Sequence, residues 1–389
     1  MRVLIAPDCF TGTLTAGQAA AAIAEGWRRQ APHDEVELCP LSDGGPGFID
    51  VLRSSLDART SAVMVTGPLG EPAPAAIVLA EAEDGVLTGY LESAQACGLH
   101  LVPAGRRDPG RTSTAGVAAL LEAARDAGAG RVVIGLGGSG TNDAGAGLLA
   151  ALAVGAGVDV PAPVRERLAG GGAALAGVTS AELAWLCAVR DSWAGVDLLV
   201  ATDVDVPLLG LRGASAGFAA QKGATPEQAQ ELERCLADFA VAALDVLGLE
   251  RRASARPGAG AAGGLGFGLL LLGGRRVPGA QAVLEAVRFA ERVRHNDLVI
   301  TGEGRFDWQS LRGKVVAAVA RQGLEIGRPV VVVAGQVEVG RREALAIGVE
   351  SAYPVARTPG EVTMALADPY RSLADRAARV ARTWSRSPG

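Results

Sequence analysis

The segment Asp297-Leu-Val-Ile-Thr-Gly-Glu-Gly-Arg-Phe-Asp307 joins a strand-length apolar run to a loop of glycine and charged residues. The start of the chain has the same design, because Val3-Leu-Ile-Ala-Pro7 is apolar and Asp8 follows it directly. A short apolar run that ends at turn residues is typical of a buried strand in a parallel sheet. Both ends of the chain therefore predict strands whose following loops carry acidic side chains.

Strands and helices alternate through both chain ends. Near the N-terminus, Thr15 is expected to cap a helix to about Arg29, and a strand over Val36 to Cys39 follows. Near the C-terminus the pattern predicts a helix over Leu311 to Gln322, a strand over Pro329 to Ala334, a helix near Arg342, a strand near Tyr353 and a long helix from about Glu361. This alternation predicts a doubly wound, Rossmann- or flavodoxin-like parallel sheet formed by both termini.

The middle of the chain has a different sequence pattern, which predicts a second α/β domain inserted into the first. Its apolar runs predict strands over Ile77 to Leu79, Val86 to Leu91, Arg131 to Ile134 and Leu198 to Thr202. Residues 156–181 carry little pattern, so we expect them to be partly mobile. The predicted boundaries are 1–65 plus 286–389 for the discontinuous domain and 66–285 for the inserted one.

The composition limits the class of protein. With 389 residues the chain has room for about two domains. Hydrophobic residues make up 49% but aromatic residues only 4%, which predicts aliphatic cores of the kind that pack helices on sheets. The net charge of −5 and the lack of a basic stripe predict no nucleic-acid partner.

The cysteines and the apolar runs predict the cellular compartment. Five scattered cysteines without a CxxC pair indicate reduced thiols and no zinc site. The chain shows no secretory signal, and no apolar run is long enough to span a bilayer. We therefore expect a soluble, cytoplasmic protein without a membrane partner, as a monomer or a homodimer.

Five loops rich in glycine or acidic residues follow apolar runs. They contain Asp8, Asp43-Gly-Gly45, Gly135-Leu-Gly-Gly-Ser-Gly-Thr-Asn-Asp143, Asp203 with Asp205, and Thr301-Gly-Glu-Gly-Arg-Phe-Asp307. Loops at the carboxyl ends of parallel strands lie at the edge of the sheet where ligands bind. Carboxylates that converge there are suited to hold Mg²⁺ beside a substrate phosphate.

The loop from Gly135 to Asp143 has the features of a phosphate-binding loop. Glycine-rich backbone ahead of a helix lets N–H groups approach phosphate oxygens, and we expect a helix from about Gly145. The chain has only two lysines, Lys222 and Lys314, and each lies beside a glycine ahead of a predicted helix. The loop residues expected to bind phosphate, and to hold ATP if ATP is the ligand, are Gly137, Gly138, Ser139, Gly140, Thr141 and Asn142.

The same loop allows another interpretation. Gly135-Leu-Gly-Gly-Ser-Gly140 matches the dinucleotide-binding fingerprint, and Asp159 lies near the spacing of its ribose-binding acid. A nicotinamide-dependent oxidoreductase is therefore an alternative. A Walker A motif is absent, because Val315 follows Lys314.

Taken together, the loops resemble those of the class I glycerate kinase family over nearly the whole chain. The matching segments are Ile5 to Asp8, Ser42 to Gly45, Val65 to Gly70, Gly135 to Asn142, Ala201 to Asp205, Pro207 to Gly210, Gln221 to Ala224, Pro257 to Gly264, Asp297 to Arg305 and Gly313-Lys314. The resemblance implies Mg²⁺- and ATP-dependent phosphorylation of glycerate, or of a related small hydroxy acid, in a cleft between two α/β domains.

On this interpretation each loop has a role. The residues expected to be catalytic are Asp203, Asp205, Lys222, Glu303 and Lys314, with Asp203 and Glu303 as magnesium ligands. The residues expected to bind the substrate are Asp8, Asp43, Arg305 and Asp307, with Arg305 paired to its carboxylate.

Three positions depart from the family pattern. Thr11 stands where the family usually has lysine, Pro46 where it has glutamate and Val206 where it has asparagine. Losing one electrostatic contact to a transition state typically lowers the rate roughly 100- to 1000-fold. A weak or regulatory paralogue that binds ligand without turnover is therefore a further alternative.

Overall fold

The computed structural model describes residues 1–10, 12–311 and 313–385. Its strands, in chain order, are β1 (Arg2–Ile5), β2 (Glu35–Leu38), β3 (Arg59–Thr66), β4 (Pro72–Glu81), β5 (Leu87–Glu92), β6 (Arg131–Gly135), β7 (Asp197–Ala201), β8 (Arg275–Val277), β9 (Leu298–Thr301), β10 (Arg305–Phe306), β11 (Val330–Ala334), β12 (Gln336–Val337) and β13 (Val349–Pro354).

The α-helices are distributed between the strands. In chain order they are α1 (Ala16–Gln30), α2 (Phe48–Ser55), α3 (Ala94–Cys97), α4 (Val117–Asp126), α5 (Ala146–Gly155), α6 (Ala162–Ala169), α7 (Leu186–Ser192), α8 (Ala214–Phe218), α9 (Pro226–Val246), α10 (Leu265–Leu271), α11 (Gly279–Ala286), α12 (Phe289–His295), α13 (Val315–Ile326), α14 (Arg341–Ala346), α15 (Pro359–Ala367) and α16 (Pro369–Trp384). Within the described part of the chain, no helix is both long enough and apolar enough to cross a membrane.

Internal contacts divide the chain into two compact units. Unit 1 comprises Met1–Asp43, Asp50–Leu56 and the chain from Pro278 onward. Unit 2 comprises Gly44–Ile49 and Asp57–Val277. The short segment Gly44–Ile49 thus belongs to unit 2, although the residues on either side of it belong to unit 1.

Unit 1 contains a parallel five-stranded sheet with the order β13-β11-β9-β1-β2. Counted along the chain, this is the flavodoxin-like order 2-1-3-4-5, whose topological switch point lies between the first and third strands. The switch point of unit 1 therefore lies between β1 and β9. The predicted α/β class with a parallel sheet is confirmed.

The core of unit 1 is aliphatic and joins the sheet to α1 and α16. Val3, Ile5 and Ile300 are fully buried in one cluster with Ile23 of α1 and Ala377 of α16. Helix α1 starts at a capping box, in which the Thr15 side chain accepts from the Gln18 N–H and the Gln18 side chain accepts from the Thr15 N–H. The predicted cap and the end of this helix, within one residue, are confirmed.

Unit 2 contains a mixed six-stranded sheet with the order β3-β4-β5-β6-β7-β8. Strands β3, β4 and β5 pair antiparallel, and β5 to β8 pair parallel. The sequence pattern did not indicate β3 or β8. Both are edge strands, and β3 exposes most of its residues, so neither has the continuous apolar run of a buried strand.

Three local predictions differ from the structure. The long C-terminal helix is two helices, because Asp368 caps α16 through the Arg371 N–H and Pro369 cannot continue α15. The helix predicted from Leu311 begins at Val315. Residues 156–181 include α6, and Leu168 and Leu175 within them are fully buried. Their packing does not support the mobility that we expected for this segment.

Close contact between α1 and α16 depends on Gly26. A Cβ atom at Gly26 would lie 1.9 Å from the Ala374 carbonyl oxygen. We expect Gly26→Ala to lower the free energy of unfolding by about 1–3 kcal/mol, because the two helices must separate. Gly17→Ala is the matched control, since a Cβ atom there meets nothing within 4 Å. Urea unfolding followed by circular dichroism measures both; an unchanged midpoint for Gly26→Ala would contradict this packing.

Candidate active site

Three acidic side chains interact at the switch point of the unit 1 sheet. Asp8 follows β1, and Glu303 follows β9, the hydrogen-bonded neighbour of β1. The backbone N–H of Asp8 donates to the carbonyl oxygen of Gly302 at 2.8 Å, which joins the two loops. The charge of Asp43 acts on both Asp8 and Glu303. The structure thus brings together three predicted site residues where ligands bind in open α/β sheets.

The carboxyl group of Asp8 is harder to ionise than usual. Burial is the main cause, and repulsion from Asp43 and Glu303 adds to it, so that the pKa of Asp8 rises to about 7. The Cys9 N–H, which donates to Asp8 Oδ1 at 2.7 Å, opposes this rise. A carboxyl group with a pKa near neutrality is suited to accept a proton from a substrate hydroxyl.

The carboxyl group of Glu303 is shifted in the same direction. Burial raises the pKa of Glu303 to about 7, while a hydrogen bond with Ser310 and the positive charge of Lys314 oppose the rise. Its Oε1 atom is buried and has no hydrogen-bond partner among the described residues. A buried carboxylate oxygen without a partner fits a cation, because Mg²⁺ takes oxygen ligands.

The loop after β9 is held by backbone contacts. A Cβ atom at Gly302 would lie 2.0 Å from the Val333 carbonyl oxygen, so only glycine fits at this position. Further along, β10 pairs in parallel with β12. Lys314 then occupies the N-cap position of α13, with extended backbone, and the N-terminus of a helix favours anions.

Arg305 and Asp307 lie in the same loop but make local contacts. Arg305 is exposed, and its Nε lies 3.6 Å from Glu338 Oε1. The Asp307 Oδ1 accepts from the Gln309 N–H at 2.7 Å, and the Asp307 N–H donates to Ser310 Oγ at 3.2 Å. Asp307 thereby shapes the turn that places Ser310 beside Glu303. Binding of substrate by Arg305 and Asp307 stays a prediction.

The glycine-rich loop of unit 2 connects β6 to α5 and packs against the segment Gly44–Ile49. A Cβ atom at Gly137 would lie 2.5 Å from Gly45 Cα, and one at Gly138, whose φ is +67°, would lie 2.6 Å from Pro46 Cγ. Close backbone approach therefore requires both glycines. The N–H groups of Gly137, Gly138 and Ser139 have no acceptor among the described residues, which leaves them available to an anion.

Asp143 fixes the end of this loop at the start of α5. Its buried Oδ2 accepts from the N–H and the hydroxyl of Thr114, each at 2.8 Å, and its Oδ1 accepts from the Gly145 N–H at 3.1 Å. Burial raises its pKa, and these hydrogen bonds oppose the rise. Sequence analysis gave Asp143 no role, although an aspartate just ahead of a helix is the usual signal of a cap.

Lys222 lies beneath the loop inside unit 2. Its side chain is only 2% exposed, and its Nζ donates to the Thr141 carbonyl oxygen at 2.7 Å. Burial lowers the pKa of Lys222 to about 8, while Cys97 and Asp143 act against this shift. The ammonium group supports the loop from the protein interior, so we do not assign it a direct contact with ATP.

Thr141 and Asn142 are also fully buried. Asn142 Nδ2 donates to Ser215 Oγ at 2.9 Å, which ties the loop to α8. Of the six residues predicted to bind ATP, Gly138 is exposed and Gly137 half-buried, whereas Ser139, Gly140, Thr141 and Asn142 are buried. The accessible part of the loop is therefore its first half.

The two acidic residues after β7 differ in their surroundings. Asp205 is exposed and pairs with Arg276 at 2.6 Å, whereas Asp203 is half-buried. Asp203 belongs to unit 2, but Glu303, the other predicted magnesium ligand, belongs to unit 1. Throughout the described ranges, no three His, Cys, Asp or Glu side chains are grouped as metal ligands.

The positions that depart from the family pattern have local packing roles. Pro46 packs on Gly138, and the Val206 carbonyl oxygen accepts from the Gly260 N–H at 3.0 Å. Thr11 lies outside the described residues. Asp159, the acid of the dinucleotide fingerprint, is exposed between α5 and α6 rather than at the end of a strand. The geometry therefore lacks the ribose-binding acid that the oxidoreductase alternative requires.

Two features of this chain are typical of α/β enzymes that bind small anionic ligands. One is the group of carboxylates at a switch point, and the other is a glycine-rich loop between a strand and a helix. The model of the Glycerate kinase family matches residues 3–385. A glycerate kinase of Bacillus subtilis (strain 168) is 40% identical over 383 residues, which cover 98% of this chain and 96% of that protein. The chain therefore belongs to the glycerate kinase family and is a kinase, as the resemblance implied.

Two further comparisons agree over the full length. An uncharacterized protein of Mycobacterium bovis is 42% identical over 384 residues, covering 98% of this chain and 91% of that protein. A crystal structure of a Salmonella typhimurium LT2 protein assigned as glycerate kinase 2 superposes with a TM-score of 0.77 at 33% identity and covers 98% of both chains.

The raised pKa of Asp8 predicts a pH-dependent effect on stability. The folded state resists ionisation of Asp8, so its contribution to stability is full below the ordinary pKa near 3.8 and is lost as the pH rises to about 7. We expect Asp8→Asn to raise the free energy of unfolding at pH 8 by on the order of 1–3 kcal/mol and to have little effect at pH 4. Urea unfolding at both pH values measures this, with the exposed Asp57→Asn as control. A gain equal at both pH values would exclude the assigned cause.

The buried position of Lys222 predicts an effect on stability. In Lys222→Met the Thr141 carbonyl oxygen loses its donor, and Asp143 loses a nearby positive charge. We expect the free energy of unfolding to fall by about 1–3 kcal/mol. Arg321→Met, at an exposed position of α13, is the control and should unfold at the parent midpoint. If both variants unfold at the parent midpoint, the Thr141 contact does not support the loop.

Proposed function

We propose that this protein transfers the γ-phosphoryl group of ATP to a hydroxyl group of glycerate, or of a closely related small hydroxy acid, with the help of Mg²⁺. The products are a phosphoglycerate and ADP, and we expect the reaction in the cytoplasm. The carboxyl pair Asp8 and Glu303, at the switch point of a chain from the glycerate kinase family, is the observation that carries the proposal.

Asp8 is the candidate general base. As the acceptor oxygen bonds to the γ-phosphorus and the bond to the ADP oxygen breaks, the hydroxyl proton moves to the Asp8 carboxylate. Proton transfer of this kind contributes typically 100- to 10,000-fold to a rate. Asp43 supports the assignment, because its negative charge raises the affinity of Asp8 for the proton.

Glu303 is the candidate magnesium ligand, through the Oε1 atom that lacks a partner in the described chain. Asp203 is the second candidate, since it is half-buried at the end of a strand. When bound, Mg²⁺ neutralises charge on the phosphates and orients them. Lys314, whose charge acts on Glu303, is the candidate cation for the transferred phosphoryl group.

The free N–H groups of Gly137, Gly138 and Ser139 are the candidate phosphate-binding donors. Lys222 and Asp143 are positioning residues, because they hold the loop that carries these N–H donors. Arg305 is the candidate partner of the substrate carboxylate, because its one ion pair, with Glu338, is long and exposed. Two expectations stay predictions: that the reaction takes place in a cleft between domains, and that the protein is a monomer or a homodimer.

The departures at Pro46 and Val206 favour one second candidate, a regulatory paralogue. Each replaces a polar side chain of the family pattern with an apolar one that packs on a glycine, Gly138 or Gly260. A paralogue of this kind would bind ATP or a hydroxy acid but would not release ADP.

ADP release by the purified protein tests the proposal. With Mg²⁺-ATP and D-glycerate, and then with a panel of other small hydroxy acids, we expect turnover by the parent. We expect Asp8→Asn and Glu303→Gln each to reduce turnover roughly 100- to 1000-fold, whereas Asp57→Asn should retain it. Full turnover by Asp8→Asn would remove Asp8 as the base. Ligand binding without turnover by the folded parent would establish the regulatory alternative.

A further inference from the structure

A second group of charged residues surrounds a cavity at the opposite edge of the unit 1 sheet. The cavity has a volume of about 520 Å³ and lies at the amino ends of β1, β2, β9 and β11. Its basic lining residues are Arg2, His33, Arg294, His295 and Arg328. Asp8 and Glu303 lie at the carboxyl ends of β1 and β9, roughly 13 Å away along each four-residue strand.

The two acidic residues of the cavity are already engaged by Arg2. Glu35 Oε2 accepts from Arg2 Nε at 3.1 Å, and Asp297 Oδ2 accepts from the Arg2 backbone N–H at 2.8 Å. Neither of them pairs with Arg294 or Arg328. The three arginines outnumber the two carboxylates of the lining by one, so the cavity is weakly positive although the whole protein carries a net charge of −5.

The guanidinium group of Arg328 is only partly satisfied. Its Nη2 donates to the Arg294 carbonyl oxygen at 3.2 Å, which fixes the side chain. Its Nε is buried and has no hydrogen-bond partner in the described chain. A buried N–H without an acceptor is rare in folded proteins, and a bound anion would satisfy it.

We propose that this cavity binds a small phosphate-bearing anion, at a site separate from the phosphoryl-transfer site. Among the residues that the structure describes, no carboxylate pairs with the guanidinium group of Arg294 or Arg328. Such groups suit a phosphate, because their N–H groups match its oxygens in pairs. The volume is within the range of small-molecule sites. Free phosphate and a phosphate monoester share this chemistry, and either can occupy the site.

Binding of inorganic phosphate, measured by titration calorimetry in the presence of saturating Mg²⁺-ATP, tests the proposal. We expect one phosphate to remain bound, because ATP occupies only the other site. The double variant Arg294→Ala/Arg328→Ala should weaken this binding at least tenfold and leave turnover with ATP unchanged. Arg321→Ala/Arg342→Ala, which removes two exposed arginines elsewhere, is the control for net charge.

Two results would overturn the proposal. One is complete displacement of phosphate by Mg²⁺-ATP, and the other is equal weakening in both double variants. Arg294→Ala alone changes an exposed side chain, so it tests the site if the double variant fails to fold. Repeating the titration with a three-carbon phosphate monoester distinguishes the two sources of phosphate, because the preferred ligand binds more tightly. The assay measures binding alone, so its failure leaves the proposed kinase activity untouched.

Discussion

The constraint that the fold of unit 1 has to accommodate is a pair of half-buried carboxyl groups held beside each other at the ends of adjacent strands. Burial and repulsion from neighbouring carboxylates disfavour the ionised forms of Asp8 and Glu303, and this opposes folding. The Cys9 N–H, Ser310 and the Lys314 charge offset only part of the cost. The aliphatic core between the sheet, α1 and α16 supplies stability that the carboxyl pair does not. An arrangement that costs stability is better explained by chemistry than by folding.

Local signals made much of this fold predictable from sequence. The strands β1, β9 and β11 are apolar runs that end at glycine or acidic residues, and Thr15 precedes its helix with a glutamine three residues later. The strand-order rule then requires that loops after neighbouring parallel strands meet. Asp8 and Glu303 were therefore predictable as site residues, because each lies two or three residues beyond the end of its strand.

The features that the sequence did not reveal depend on contacts between residues that are far apart in the chain. Lys222 beside a glycine looks the same whether it is exposed or buried, and its partner, the Thr141 carbonyl group, lies 81 residues away. The glycines of the loop after β6 looked like ligand contacts, yet two of them are required by Gly45 and Pro46, which belong to a distant segment. The edge strands β3 and β8 are stabilised by pairing with a neighbour rather than by their own apolar content.

The order of the unit 1 sheet also has a consequence for biosynthesis. Strand β1 is synthesised about 295 positions ahead of its sheet neighbour β9. Until β9 has been synthesised, the apolar segment from Val3 to Ile5 therefore has only β2 to pair with. Unit 2, apart from Gly44–Ile49, is one continuous stretch and can fold while the nascent chain still lacks β9. The segment from Val3 to Ile5 therefore completes its sheet only after unit 2 has been synthesised.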